Sequence, residues 1–91
     1  MSATVERRFK IRNKLGLHAR AAALFVQAAS RFDSEIFVAK NGQEVNGKSI
    51  MGILILAAAQ GSEIVVKADG SDADGALSAL GNLIDDGFGE D

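Results

Sequence analysis

Apolar and polar residues alternate over residues 5–13. Val5, Phe9 and Ile11 fall on one side of an extended chain, and Glu6, Arg8, Lys10 and Arg12 on the other. Arg7 is the polar exception on the apolar side. This period of two predicts a strand. Asn13-Lys14-Leu15-Gly16 then reads as a loop, and the period changes. Ala22, Phe25, Val26 and Ala29 recur at helical spacing, with Ala19 one turn earlier. They predict a helix that starts near His18 or Ala19, ends near Arg31 or Phe32, and turns those residues to the core. Ala21, Leu24, Gln27 and Ala28 fall on other faces.

A second strand is expected over 35–40. Asn41-Gly42 is a hairpin signal, because both residue types tolerate positive φ. A short third strand from Gln43 to Val45 or Asn46 would pair with it, and Asn46-Gly47 would turn the chain again. Ser49 suits an N-cap. Ile50 to Leu56 predicts a short helix that is apolar on nearly every side. Such a segment is either central core or a docking surface. A fourth strand follows over 63–68. Ser71-Asp72-Ala73-Asp74 resembles a capping box with Asp in place of Glu. Ala73, Ala76, Leu77, Leu80 and Ile84 mark the buried stripe of the last helix. Gly87 suits its C′ position, Phe88 folds back on the last turn, and Gly89-Glu90-Asp91 forms a loose acidic tail.

The order βαββαβα is a split βαβ plan with one more helix. It predicts an α+β fold: a four-stranded antiparallel sheet with three helices on one face and water on the other. The 91 residues fit one domain, spanning 1–91. No internal repeat or linker interrupts them.

Composition narrows the function. The net charge of -2 disfavours a nucleic-acid surface. The chain has no cysteine, which removes disulfides, thiol nucleophiles and thiolate metal sites. A lone His without nearby carboxylates is a poor metal site, so no metal is expected. Charges in the first ten residues replace the apolar core of a signal peptide, and the apolar run over 50–59 is too short to span a bilayer. A cytoplasmic protein without membrane insertion is therefore expected.

The segment Gly42-Gln43-Glu44-Val45-Asn46-Gly47-Lys48-Ser49 matches the phosphate-loop pattern in every specified position. The match is rejected on physical grounds. Asn41-Gly42 favours a hairpin, Gln43-Glu44-Val45 reads as a strand, and Glu44 would place negative charge among phosphates.

His18 is the only histidine, and it lies where strand gives way to helix. Free backbone N–H groups at a helix start attract anions, and Arg20 adds a permanent charge. The same field disfavours imidazolium and keeps a ring lone pair available for nucleophilic attack on a phosphoryl group. Gly16 would let a partner's backbone approach. Spacing alone leaves a second reading open, in which His18 is a helix-end residue with a satisfied ring.

Asn13-Lys14-Leu15-Gly16-Leu17-His18-Ala19-Arg20 resembles the active-site signature of the HPr family, phosphocarriers of the phosphoenolpyruvate-dependent phosphotransferase system. Gly47-Lys48-Ser49-Ile50-Met51-Gly52 resembles that family's second signature, around a regulatory serine. The resemblance covers nearly the whole chain. It implies an open-faced β-sandwich in which His18 carries phosphate on Nδ1, held by Arg20 and by N–H groups of the first helix. It also implies a monomer without cofactor that is itself the phosphorylated intermediate rather than a stand-alone enzyme. The phosphoryl group would come from phospho-enzyme I and pass to a IIA-type protein or domain, serving sugar uptake or regulation. Leu24, Ile50, Met51 and Leu54 would be the apolar docking contacts. Ser49 matches the site used by HPr kinase/phosphorylase in some bacteria, and it equally reads as an N-cap only. The alternative is a non-catalytic regulatory protein of the same fold that acts by partner binding.

The chain departs from the family at Ala21, where proline is usual after the arginine. Alanine keeps an N–H that proline lacks. The ending Gly87-Phe88-Gly89-Glu90-Asp91 looks like the nitrogen-related branch, whereas the Ser49 segment looks like the sugar branch.

Overall fold

A computed structural model describes residues 4–90. Strand β1 (Thr4–Lys10) is followed by helix α1 (Ala19–Ala29), strands β2 (Glu35–Lys40) and β3 (Gln43–Asn46), helix α2 (Ile50–Ile55), strand β4 (Glu63–Asp69) and helix α3 (Ala73–Asp85). A short 3₁₀ turn, Gly87–Gly89, follows α3. The four strands form one antiparallel sheet in the order β1-β4-β2-β3.

The alternation expected from the sequence sorts the sheet's two faces. Ile36 and Val38 of β2 and Ile64, Val66 and Ala68 of β4 are buried, while their neighbours Phe37, Ala39, Val65 and Lys67 are only partly covered. The buried set meets Ala22, Phe25 and Ala29 of α1, Ile53 of α2, and Leu77, Leu80 and Ile84 of α3 in a single core. On the open face Lys67 Nζ lies 3.3 Å from Glu44 Oε2. This is the open-faced sandwich that the element order requires. The hairpin between β2 and β3 has φ of 51° at Asn41 and 84° at Gly42, as its sequence demands.

β1 is an edge strand paired to β4, with Val5 opposite Ala68 and Phe9 opposite Ile64. Arg7 stands opposite Val66 and stays exposed at the edge. Regular pairing stops at Lys10 rather than reaching Asn13. Ile11 still exchanges backbone hydrogen bonds with Gly61 and Ser62, but Asn13 then turns its side chain inward.

Local corrections follow from tertiary contacts. Helix α1 ends at Ala29, and the chain leaves through tighter turns in which Arg31 and Phe32 N–H groups donate to Ala28 and Ala29. Ala21 is wholly buried, whereas Ala19 is exposed and Val26 half-buried, so the core-facing stripe is rotated from the one expected. The capping box does not form. Asp72 is the N-cap of α3, yet its side chain makes no cap bond. Its carboxylate instead accepts from the N–H groups of Asp33 (2.8 Å) and Ser34 (2.9 Å) and from the Ser34 hydroxyl. That carboxylate fastens the α1–β2 connection to the start of α3.

The phosphate-loop pattern is a hairpin strand and a turn. Lys48 Nζ donates to the Phe32 carbonyl at 2.7 Å, which commits the cation a nucleotide would need.

Candidate phosphoryl site at the start of α1

The site begins at Asn13, buried just beyond the sheet edge. Its backbone carbonyl accepts from Gly16 N–H at 3.1 Å, and its side-chain Nδ2 donates to Gly16 O at 2.8 Å. These bonds close a tight turn that reaches φ of 66° at Gly16. Leu17 is then buried, and its N–H donates to Ala58 O at 2.9 Å. The backbone that approaches Gly16 therefore belongs to the segment after α2, not to a partner.

His18 is the N-cap of α1, with extended backbone (φ −73°, ψ 178°), and its carbonyl accepts the first helical bond from Ala22 N–H at 2.8 Å. The N–H groups of Ala19, Arg20 and Ala21 precede that bond and have no acceptor within the helix. Arg20 is exposed and lines a shallow hollow of about 450 Å³ together with Lys14, Leu15, Gly89 and Glu90. A helix start thus lies at the imidazole, and two cationic side chains line the hollow that Glu90, the partner of His18, also lines.

The expectation of a loose tail fails at Glu90; Asp91 lies outside the described residues. Phe88 is buried at 3% exposure, and the turn around it brings Glu90 back over the site. Glu90 Oε2 lies 2.6 Å from His18 Nε2, and Glu90 Oε1 accepts from Asn13 Nδ2 at 2.9 Å. The Asn13 amide is the main cause holding the Glu90 carboxyl below its usual range. Burial opposes it, and the His18 ring and the Arg20 charge add to the lowering. The His18 side chain remains 28% exposed, open enough for a group to reach it from outside.

Ser49 lies elsewhere, at the start of α2, where its Oγ accepts from Gly52 N–H at 3.1 Å. It does not line the hollow of Arg20 and Glu90. Ile50 and Met51 are exposed, and Leu24 and Leu54 are half-buried against the core. The sequence reading missed three residues of this region. Asn13 and Glu90 were assigned to a loop and a tail, and Leu15, 70% exposed, was not singled out. Ile55, 58% exposed, joins Ile50 and Met51 on the surface of α2. Phe88 carried the signal for Glu90, because an aromatic folded onto the helix end must bring its neighbours with it.

Residues 5–86 match the family model of the PTS HPr component phosphorylation site. The phosphocarrier protein HPr of Neisseria meningitidis serogroup B is 56% identical over 81 residues, which cover 89% of this chain and 91% of that protein. The HPr-like protein Crh of Bacillus subtilis is 49% identical over 76 residues, covering 84% of this chain and 89% of the relative. The crystal structure of HPr-C-His from Thermoanaerobacter tengcongensis superposes with a TM-score of 0.93 at 50% identity, covering 96% of this chain and 98% of that one. The chain belongs to the HPr family, the phosphocarriers of the phosphotransferase system.

Proposed function

We propose that His18 is the residue that carries the phosphoryl group, bonded through Nδ1. One observation supports this above the others. Nε2 is taken by Glu90, while Nδ1 makes no hydrogen bond among the described residues, at a helix start whose first N–H groups are unpaired. A nitrogen with a free lone pair beside preorganised donors is suited to attack phosphorus. Arg20 and the N–H groups of Ala19, Arg20 and Ala21 would hold the phosphate oxygens.

In this reading the whole chain, 1–91, is one cytoplasmic, monomeric domain and is itself the phosphorylated intermediate, with no activity as a stand-alone enzyme. Phospho-enzyme I donates, and a IIA-type protein or domain accepts. Ile50 and Met51, with the partly exposed Leu24 and Leu54, form the apolar docking face. Ser49 heads that face, where a phosphate would add about two negative charges. No helix of the described residues is long and apolar enough to cross a membrane.

The test is incubation with phosphoenolpyruvate and enzyme I, followed by intact-mass measurement and site mapping. An acid-labile, base-stable phosphate on His18 is expected. Label that persists in His18→Ala would refute the assignment.

A further inference from the structure

We propose that Glu90 is a positioning residue that fixes the tautomer of His18, and thereby makes Nδ1 the nucleophile. The inference rests on reading His18 as the phosphoryl acceptor.

The argument is one of donors and acceptors. An ionised carboxylate only accepts hydrogen bonds. Glu90 Oε2 is 2.6 Å from His18 Nε2, so the bond exists only when Nε2 carries a proton. A neutral imidazole has one ring proton, and Nδ1 is then bare. The carboxylate is itself held. Asn13 Nδ2 donates to Gly16 O at 2.8 Å and to Glu90 Oε1 at 2.9 Å, and both partners are acceptors, which fixes the orientation of the amide. The backbone is held as well. Phe88 is buried, and Glu90 N–H donates to Gly87 O at 3.0 Å.

The proton count closes without a base. The Nδ1 lone pair forms the N–P bond as the bond from phosphorus to the donor breaks, and that electron pair leaves with the donor. Nε2 keeps its proton throughout. The ring gains positive character beside Arg20 and the start of α1, and the Glu90 carboxylate offsets it. On transfer to the acceptor the N–P pair returns to Nδ1, and the starting tautomer is restored.

The test uses the full chain and two variants. Glu90→Gln is informative because Asn13 still presents N–H to one side of residue 90. The amide oxygen turns toward Asn13, and the amide N–H₂ faces His18, which favours the Nδ1–H form. ¹⁵N imidazole spectra of the neutral ring should show Nε2–H in the parent chain. They should show a shift to Nδ1–H in Glu90→Gln and a mixture in Glu90→Ala. With phospho-enzyme I, kcat for acceptance by Glu90→Gln should fall about tenfold or more, with KM little changed. An Nδ1–H ring in the parent chain, or an unchanged tautomer in Glu90→Gln, overturns the proposal. Acceptance by Glu90→Ala at or above the parent rate does so too. The spectra need no phosphoryl donor, so they judge Glu90 even if label fails to reach His18, a failure that would overturn the Proposed function instead.

Discussion

Gly16 and Ala58 are in backbone contact: a Cβ on Gly16 would stand 2.3 Å from the Ala58 carbonyl oxygen and 2.9 Å from Ala59 Cα. The His18 loop is thus seated on the chain leaving α2, and Leu17 N–H binds the same carbonyl. Gly16→Ala must pay for a positive φ and displace backbone, a loss of about 2–4 kcal/mol in stability. Gly42 also has positive φ but nothing within 4 Å of its missing Cβ. Gly42→Ala should lose only about 1 kcal/mol. Urea unfolding of the two variants separates close approach from backbone strain, and equal losses would refute the distinction. Phosphoryl acceptance should fall in Gly16→Ala alone.

A second prediction concerns acid. The Asp72 carboxyl is held below its ordinary value of 3.8, first by the Ser34 hydroxyl and then by the Asp33 N–H, against a smaller cost of burial. A carboxyl whose pKa is lower folded than unfolded stabilises the fold above the unfolded value. That contribution is lost as pH falls through the folded value. The thermal stability of the parent chain should therefore decline below about pH 4. Asp72→Asn should be less stable at neutral pH and decline less steeply, so that the two curves converge in acid. Parallel curves would show that Asp72 is not the group responsible.

Most of the architecture was legible because it rests on periodicity and turn chemistry. The hairpin at Asn41-Gly42, the stripe of α3 and the cap at Ser49 all express local rules. The elements misread are those where a distant group overrode the local rule. Asp72 has the sequence of a capping residue, but Asp33 and Ser34, far off in the chain, claim its carboxylate. Ala21 sits off the expected stripe, yet tertiary packing buries it completely. His18 and Arg20 are placed by local sequence, because the start of α1 falls where the strand pattern gives way to the helix pattern. Glu90 is not, because its partners lie 72 and 77 residues away.

Substitutions at Ser49 separate helix capping from the proposed docking of a partner at α2. The Ser49 hydroxyl caps the helix by accepting from Gly52 N–H. Ser49→Ala removes that bond and should lose about 1 kcal/mol, with phosphoryl transfer unchanged. Aspartate is itself a good N-cap, so Ser49→Asp should keep stability within about 0.5 kcal/mol. Its charge beside Ile50 and Met51 should nevertheless raise KM for enzyme I. Transfer kinetics of Ser49→Asp equal to the parent would show that this face is not where the partner docks.

The exposed apolar residues give the sharpest division between folding and docking. Met51 is 68% and Ile55 58% exposed, while Ile53 between them is wholly buried. Truncating the first two removes contacts that the folded chain does not use. Met51→Ala and Ile55→Ala should each leave stability within about 0.5 kcal/mol. Ile53→Ala opens a core cavity and should lose about 2–5 kcal/mol. If α2 meets enzyme I, Met51→Ala should lower kcat/KM for phosphoryl acceptance about tenfold, the scale of an interface hot spot. Leu15, 70% exposed beside the hollow that Arg20 lines, should behave like Met51 if one partner covers both. A loss in Met51→Ala with none in Leu15→Ala would confine the docking face to α2, and the reverse would confine it to the rim of the phosphoryl site.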